Sequence, residues 1–215
     1  LSGSNTYTGA TTVSGGTLAT NSLGSTGSLT LDGGTLSAAS VSLSTSVAVT
    51  VGSGGATVDL SNGSVTLNGT LTGSAGLTVN STVAGNVLSI PVANGGTYSG
   101  TVTLNNGILQ FGNDTAFGSG TLAINGGKVR AAGGTPRTIA NALALGGTFT
   151  MAGSAALTFT GAVNLNGSTR TINDSISADL TFSGVVSNGS LTVSNQGTGA
   201  VVLGGANTYT GTTTV

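Results

Sequence analysis

Short alternations of apolar and polar residues run through the whole chain. They place Val, Leu, Ile or Phe at every second position and Thr, Ser or Asn between them. A period of two residues predicts β-strands that are buried on one face and wet on the other. Helical recurrence is missing, because Gly or Asn interrupts nearly every window of the sequence. The clearest predicted strands lie at 28–31, 41–43, 47–51, 58–60, 65–67, 77–79, 102–104, 122–124, 149–151, 157–159, 163–165, 180–182 and 191–193.

Glycine pairs and Asn-Gly pairs separate these segments. Both residue types tolerate positive φ, so the chain can turn after every short strand. Asn-Gly is also typical of two-residue hairpins, which keeps an antiparallel sandwich or barrel open as an alternative. Examples of these pairs lie at 15–16, 33–34, 62–63, 68–69, 95–96, 126–127, 146–147, 166–167 and 188–189.

One stretch returns along the chain. Residues 1–13 come back as 203–215 with ten of thirteen positions identical, an offset of 202 residues. A looser copy lies at 95–104, and such self-similarity predicts an array of repeats. The three spacings 91, 111 and 202 lie near multiples of about 22.5 residues, roughly what three short strands and three turns require.

These observations favour an all-β, parallel β-solenoid of about nine coils of roughly 22 residues, with about 25 short strands. We expect one segment over 1–215, with repeat-like subunits at about 1–91 and 92–202 and the start of a further copy at 203–215. Columns of Asn or Thr are expected to form ladders at the turns. The residues expected inside are Val13, Leu18, Leu31, Leu43, Val51, Leu67, Val79, Leu104, Phe111, Ile124, Leu145, Phe159, Leu165, Phe182 and Val193.

Charge and composition exclude several partners. Four basic and five acidic residues leave a net charge of −1 at pH 7, and the chain has no His or Cys. This charge content provides no positively charged surface that would bind nucleic acid or anionic lipid. No apolar run approaches the ~18 residues of a membrane helix, so we expect no membrane insertion of this segment. We also expect no cofactor and no metal. A surface with so few charges is weakly protected against self-association.

Several stretches resemble the passenger-associated transport repeat of bacterial autotransporters. The resemblance is carried by 205–215 with its approach at 182–193 and 200–205, by 1–36, and by 138–149. It implies a right-handed parallel β-helix that is exported and displayed on the bacterial cell surface or released outside the cell. It also implies a role as a rod in adhesins and surface fibres.

Candidate catalytic residues are sparse. A polysaccharide-cleaving β-helix needs a carboxylate cluster with a base, but the Asp residues are isolated except for Asp174 and Asp179. Turn chemistry is the ordinary role of isolated Asp. The basic residues Lys128, Arg130 and Arg137 are expected on a solvated face, with Lys128 and Arg130 on the same side of a strand.

Tyr7, Tyr98 and Tyr209 recur with the repeat and form a candidate interaction column for surface glycans. Packing at a turn, with a wet hydroxyl, is the simpler role for each ring. Thr-x-Thr ranks on a β-solenoid can also order water, as in ice-binding proteins, but the Thr pairs here do not recur at one coil spacing.

The sequence therefore predicts a non-enzymatic structural segment, a window from a longer extracellular or surface protein. Its expected partner is itself, through tandem repeats or end-to-end stacking of exposed strand edges. A glycan-binding adhesin face, a polysaccharide-active enzyme and an ice-binding solenoid are the competing classes.

Overall fold

A computed structural model describes residues 1, 5–25 and 27–215, so Ser2, Gly3, Ser4 and Thr26 of the first repeat copy lie outside the described residues. The described residues form 24 strands joined by turns and contain no helix. The strands are β1 (Thr11–Val13), β2 (Thr17–Thr20), β3 (Leu29–Leu31), β4 (Thr35–Ala38), β5 (Leu43–Thr45), β6 (Val49–Val51), β7 (Ala56–Asp59), β8 (Val65–Leu67), β9 (Leu71–Gly73), β10 (Leu77–Asn80), β11 (Val87–Ile90), β12 (Val102–Leu104), β13 (Ile108–Phe111), β14 (Leu122–Ile124), β15 (Lys128–Ala131), β16 (Arg137–Ile139), β17 (Leu143–Leu145), β18 (Phe149–Met151), β19 (Leu157–Phe159), β20 (Val163–Asp174), β21 (Leu180–Phe182), β22 (Val186–Asn195), β23 (Val201–Leu203) and β24 (Thr213–Thr214).

The strands stack into three sides of a solenoid. Side 1 holds β1, β3, β6 and β9 and, further on, β16, β19, β21 and β23. Side 2 runs through β2, β4, β7, β10, β12, β14 and β17 into the first halves of β20 and β22. Side 3 runs through β5, β8, β11, β13, β15 and β18 into the second halves of β20 and β22 and ends at β24.

Every strand pair among the described residues is parallel. The parallel solenoid predicted from the sequence is therefore confirmed, and the antiparallel alternative is wrong. The Asn-Gly pairs mark corners of the coil instead of hairpins. Asn166 and Asn188 adopt positive φ (53° and 60°) where β20 and β22 bend from side 2 to side 3.

The solenoid has about ten turns of roughly 21 residues, close to the nine coils of 22 expected. Individual turns vary, from the 18 residues between Thr11 and its partner Leu29 to the 25 between Leu77 and its partner Val102. At ~4.8 Å per turn, ten turns extend about 48 Å. Pairing continues across both expected repeat boundaries, since β10 pairs with β12 and β22 with β24.

A single apolar core fills the axis of the solenoid. Twelve of the fifteen side chains expected inside are buried, whereas Val13, Leu18 and Val193 are half-buried against the core near the two ends. All five phenylalanines meet along the axis. Phe111 packs edge-on against Phe117 at 5.0 Å, and Phe159 stacks on Phe182 at 5.8 Å between ring centroids. Large rings fill the space that short side chains on three sides leave at the centre.

Side 1 is interrupted between β9 and β16. Its sheet splits into two four-stranded sheets, whereas strands of sides 2 and 3 form one 16-stranded sheet. In the gap, Tyr98 makes a single parallel bridge to Gly73. The buried Asn94 holds this region together, because its side chain accepts from the Leu71 N–H (2.8 Å) and donates to the Ala116 carbonyl (2.8 Å). Pro91 opens this non-strand segment and has no N–H for a ladder.

Candidate functional surface

The corner between sides 1 and 2 is built from glycine because successive turns touch there through their backbones. A Cβ on Gly184 would overlap the carbonyl of Gly161, and a Cβ on Gly205 would overlap that of Gly184. Gly120 stands in the same relation to Gly100. Without a Cβ, the chain can bend at this corner while successive turns stay one strand spacing apart. This explains much of the high glycine content.

The other two corners use polar side chains that accept the N–H two residues later. On the corner between sides 2 and 3, Asp59 accepts from Ser61 (3.0 Å) and Ser81 accepts from Val83 (3.0 Å). On the corner between sides 3 and 1, Asn113 accepts from Thr115 and Asp174 from Ile176. Such local bonds satisfy the backbone as it leaves a strand, which explains why Asx, Ser or Thr follows so many of the short strands.

An asparagine ladder lies on the corner between sides 2 and 3. Asn105 donates to Asn80 Oδ1 at 2.8 Å, and Asn125 donates to Asn105 Oδ1 at 2.9 Å. Further along, Asn188 donates to Asn164 Oδ1 at 3.1 Å. The turn ladder expected from the sequence is therefore present, and each rung links two successive turns through side-chain amides.

Threonine ranks occupy the outward faces of sides 1 and 2. On side 1, Thr12, Thr30, Thr50 and Thr72 are in register, and the Thr50 and Thr72 hydroxyls are 2.9 Å apart. The rank on side 2 consists of Thr17, Thr35, Thr57, Thr78 and Thr103. These ranks could not be found from the sequence. The turns vary in length from 18 to 25 residues, so threonines in register are not evenly spaced along the chain.

The side 2 rank is not a Thr-x-Thr surface. The outward position two residues later holds Ala19, Ser37, Asp59 and Asn80 in successive turns. A shallow polar groove of about 370 Å³ is bordered by Asp59 and Asn80 of this set together with Asn105 and Asn106. A regular two-rank hydroxyl lattice is absent from this part of the described residues, and the ice-binding alternative therefore has no support there.

The three repeat tyrosines lie on three different sides. Asn5, two residues before Tyr7, donates to the Ser22 carbonyl in the side 3 segment between β2 and β3. Tyr98 bridges to Gly73 at the end of β9 on side 1. Thr208 N–H, one residue before Tyr209, donates to the Val186 carbonyl at the start of β22 on side 2. The structure therefore does not bring these rings into one column.

Tyr98 packs as a core residue. It is 1% exposed, and its hydroxyl donates to the Ala75 carbonyl at 2.9 Å. Burial raises the pKa of Tyr98 to about 12, so the phenol stays neutral under ordinary conditions. A ring in this position is not accessible for stacking on a sugar. Tyr209 is half-buried, with its hydroxyl 2.6 Å from that of Thr213.

The basic residues lie on solvated or partly solvated faces. Lys128 and Arg130 point outward from β15, as the strand pattern predicts. Arg130 Nε donates to Gln110 at 2.6 Å, and Gln110 donates to Ser89 at 2.9 Å, so a polar ladder crosses three turns of side 3. Arg137, which is partly buried, lies 3.8 Å from the exposed Asp114, and an ion pair of this length open to solvent has small energetic weight.

The five carboxylates are distributed along the solenoid and serve the backbone or an ion pair. Asp32 accepts from the Gly54 N–H, and Asp179 from the Ala200 N–H. Asp174 is fully buried at the end of β20. One of its carboxylate oxygens accepts from the Ile176 N–H, and the other has no hydrogen-bond partner among the described residues. Desolvation raises the pKa of Asp174, and the neighbouring Asp179 adds to this shift. The burial of Asp174 could not be read from the sequence, which places it in a turn.

The stacked parallel turns, the corner ladders and the axial core define a β-solenoid, an elongated class of repeat protein. A family model described as passenger-associated-transport-repeat matches residues 1–19 and 196–215. These matches and the fold fit an autotransporter passenger repeat domain. The match leaves residues 20–195 uncovered, so the resemblance over 20–36, 138–149 and 182–193 rests on the sequence alone.

Comparisons with curated proteins and with solved structures found no match. Passenger repeats imply export to the cell surface or the extracellular space. Within the described part of the chain, no helix has the length and apolar character needed to cross a membrane.

Proposed function

We propose that this segment is a non-enzymatic rod of an exported passenger, holding other parts of a longer surface protein away from the cell. The observation that carries the proposal is the continuous strand pairing of sides 2 and 3, from β2 to β24 in one 16-stranded sheet. A continuous sheet parallel to the axis makes a stiff spacer. Its length is set by the number of turns, since each turn contacts only its neighbours.

The distribution of polar groups supports a spacer role. The corner and ladder side chains bond to adjacent turns, as in Asn105 to Asn80 and Arg130 to Gln110. Polar side chains bonded in this way stabilise the stacking of successive turns. The Asp residues lie apart from one another, and each accepts a backbone N–H in a turn or forms an ion pair. This favours a structural role over acid–base catalysis.

Self-association belongs to the same proposal. Among the described residues of the isolated 215-residue chain, β24 pairs only with β22, and both residues of β24 are exposed. An open strand edge is a template for another strand, and here the other strand would come from a second copy.

Whole-turn deletion tests the rod. Removing residues 122–162 deletes two complete turns and places Val163 beneath Val102, since Val102, Leu122, Leu143 and Val163 are in register. We expect a folded, β-rich chain whose maximum dimension by small-angle scattering falls by about 10 Å. The matched control deletes 122–152, which is not a whole number of turns and sets residues 153–155, from the corner between sides 3 and 1, beneath side 2.

The control deletion is expected to lose β-structure by circular dichroism. If both deletions fold equally well, or if the whole-turn deletion unfolds, the additive rod is wrong. Turnover of any member of a polysaccharide panel by the intact chain would overturn the non-enzymatic assignment.

A further inference from the structure

Seven Asn-Gly pairs occur in the chain, with Asn at positions 62, 68, 94, 106, 125, 166 and 188. In such a pair the glycine nitrogen can attack the asparagine side-chain carbonyl carbon, because no Cβ obstructs the approach. The reaction converts the amide into a carboxylate. A folded chain permits it only where the side chain is free to move and the glycine N–H is not held elsewhere.

Hydrogen bonds restrain five of the seven side chains. Asn68 donates to Ser44, Asn125 to Asn105, Asn166 to the Leu145 carbonyl and Asn188 to Asn164. Asn94 is buried and bonded through both ends of its amide. Each of these bonds must break before the carbonyl carbon can rotate towards the next residue.

Asn62 is exposed, but the N–H of Gly63 donates to the Leu60 carbonyl at 3.2 Å. The nucleophile of this pair is therefore directed away from the Asn62 side chain. Its reaction also needs a hydrogen bond to open first.

Asn106 differs from the other six. Its side chain is exposed, and the Gly107 N–H points at Asn106 Oδ1 at 2.8 Å, which is the only hydrogen bond of that side chain in the described structure. Gly107 has φ +89 and is fixed beside Leu60, Ser81 and Asn86. The nucleophile thus lies against its own target amide on a rigid corner.

We propose that Asn106 is a site of spontaneous, selective deamidation. Gly107 N forms a bond to Asn106 Cγ while the bond from Cγ to Nδ2 breaks, and the Gly107 proton leaves with Nδ2 as ammonia. The resulting succinimide is opened by one water molecule. Water adds at either carbonyl, which gives aspartate or isoaspartate at position 106.

The product changes a polar surface. One new carboxylate doubles the formal net charge of −1 and enters the groove that already holds Asp59. Isoaspartate also lengthens the backbone by one carbon, at the rung next to Asn105 of the asparagine ladder. The fraction of chains modified at this one corner therefore increases with the age of the rod, if the segment is exported as proposed above.

The test follows the intact, folded chain in mildly alkaline buffer by peptide mass spectrometry, with enzymatic methylation to detect isoaspartate. A hydrogen bond that must open first slows ring closure about five- to tenfold, so Asn106 should react faster than the other six pairs by about that factor. Asn106→Gln should remove the leading product, and Asn62→Gln should leave it unchanged.

A second variant tests the cause of the selectivity. Asn105→Ala removes the acceptor of the Asn125 amide and should accelerate deamidation at Asn125 while Asn106 remains reactive. In the denatured chain the preference for Asn106 should disappear. Earlier reaction at any other pair, or equal rates at all seven in the folded chain, would overturn the proposal.

Discussion

The Tyr98 hydroxyl donates a hydrogen bond to the carbonyl oxygen of Ala75 at 2.9 Å, which ties two successive turns together where side 1 is interrupted. At this place one buried side chain substitutes for part of a missing strand. The ring fills the core, and the hydroxyl donates to a carbonyl of the preceding turn.

Tyr98→Phe should therefore destabilise the chain although it keeps the ring. The Ala75 carbonyl would lose its hydroxyl donor, at a cost of about 1–2 kcal/mol. The matched control is Tyr209→Phe, whose hydroxyl contacts Thr213 at an exposed position and whose loss should cost at most about 0.5 kcal/mol. Denaturation midpoints of the two variants check this, and equal effects would contradict it.

The same phenol predicts a loss of stability at alkaline pH. Its folded pKa of about 12 lies above the ordinary value of 10.0, so the folded chain binds this proton more tightly. The contribution is fully present below about pH 10 and is lost as the pH rises through about 12. The stability difference between the native chain and Tyr98→Phe should shrink over that interval. A difference independent of pH would contradict the burial of the phenol.

Gly184→Ala probes the backbone contact at the corner between sides 1 and 2. The added Cβ would overlap the Gly161 carbonyl and force the two turns apart, with a loss of about 1–3 kcal/mol. Gly15 lies on the same corner, where a Cβ would have no atom of the described residues within 4 Å, so Gly15→Ala should change stability by no more than about 0.5 kcal/mol. Thermal unfolding of both variants separates steric crowding from a general effect of alanine.

Asp174→Asn should stabilise the chain at neutral pH. The folded pKa of Asp174 is raised by burial, so its proton favours folding below the ordinary value of 3.8, and that contribution is lost as the pH rises through the folded pKa. Asparagine keeps the acceptor for the Ile176 N–H without a buried charge and already occupies the partner position at Asn195. We expect a gain of about 1 kcal/mol or more at pH 7 and little change in strong acid. A variant less stable at pH 7 would contradict this.

The isolated 215-residue chain should elongate with concentration through its open strand edges. Electron micrographs at increasing concentration should show rods longer than the roughly 48 Å of ten turns. Lysine in place of Thr213 and Thr214 should suppress this growth, since charge on an edge strand opposes pairing. Particles that stay monomeric and short at every concentration would count against it.

Much of the fold could be predicted from the sequence because the inward positions alternate locally. Residues such as Val65 and Leu67 are buried and Thr66 is not, as a period of two residues requires. Corner ladders such as Asn80 to Asn105 could likewise be expected from the Asn content of the turns.

The assignment of segments to sides could not be predicted. The repeat spacings lie near multiples of one coil length, which indicates the correct fold, but the copies are not separated by a whole number of turns. Thr11 pairs on side 1, Val102 on side 2 and Thr213 on side 3, although the three occupy corresponding repeat positions. Because the corners differ in length, the copies drift away from a whole number of turns along the chain. The conformation of each corner depends on contacts with the turns above and below, which the sequence does not reveal. For the same reason the threonine ranks and the separation of the tyrosines were not visible.

A tandem series of 202-residue units would therefore not repeat its surface in line. Each unit would begin on the side next to the one where the unit before it began, as the two copies at Thr12 and Thr214 already do. After three units the starting side would return. Any feature confined to one side of a unit would then wind around the fibre as a long-pitch spiral, visible to partners from every direction.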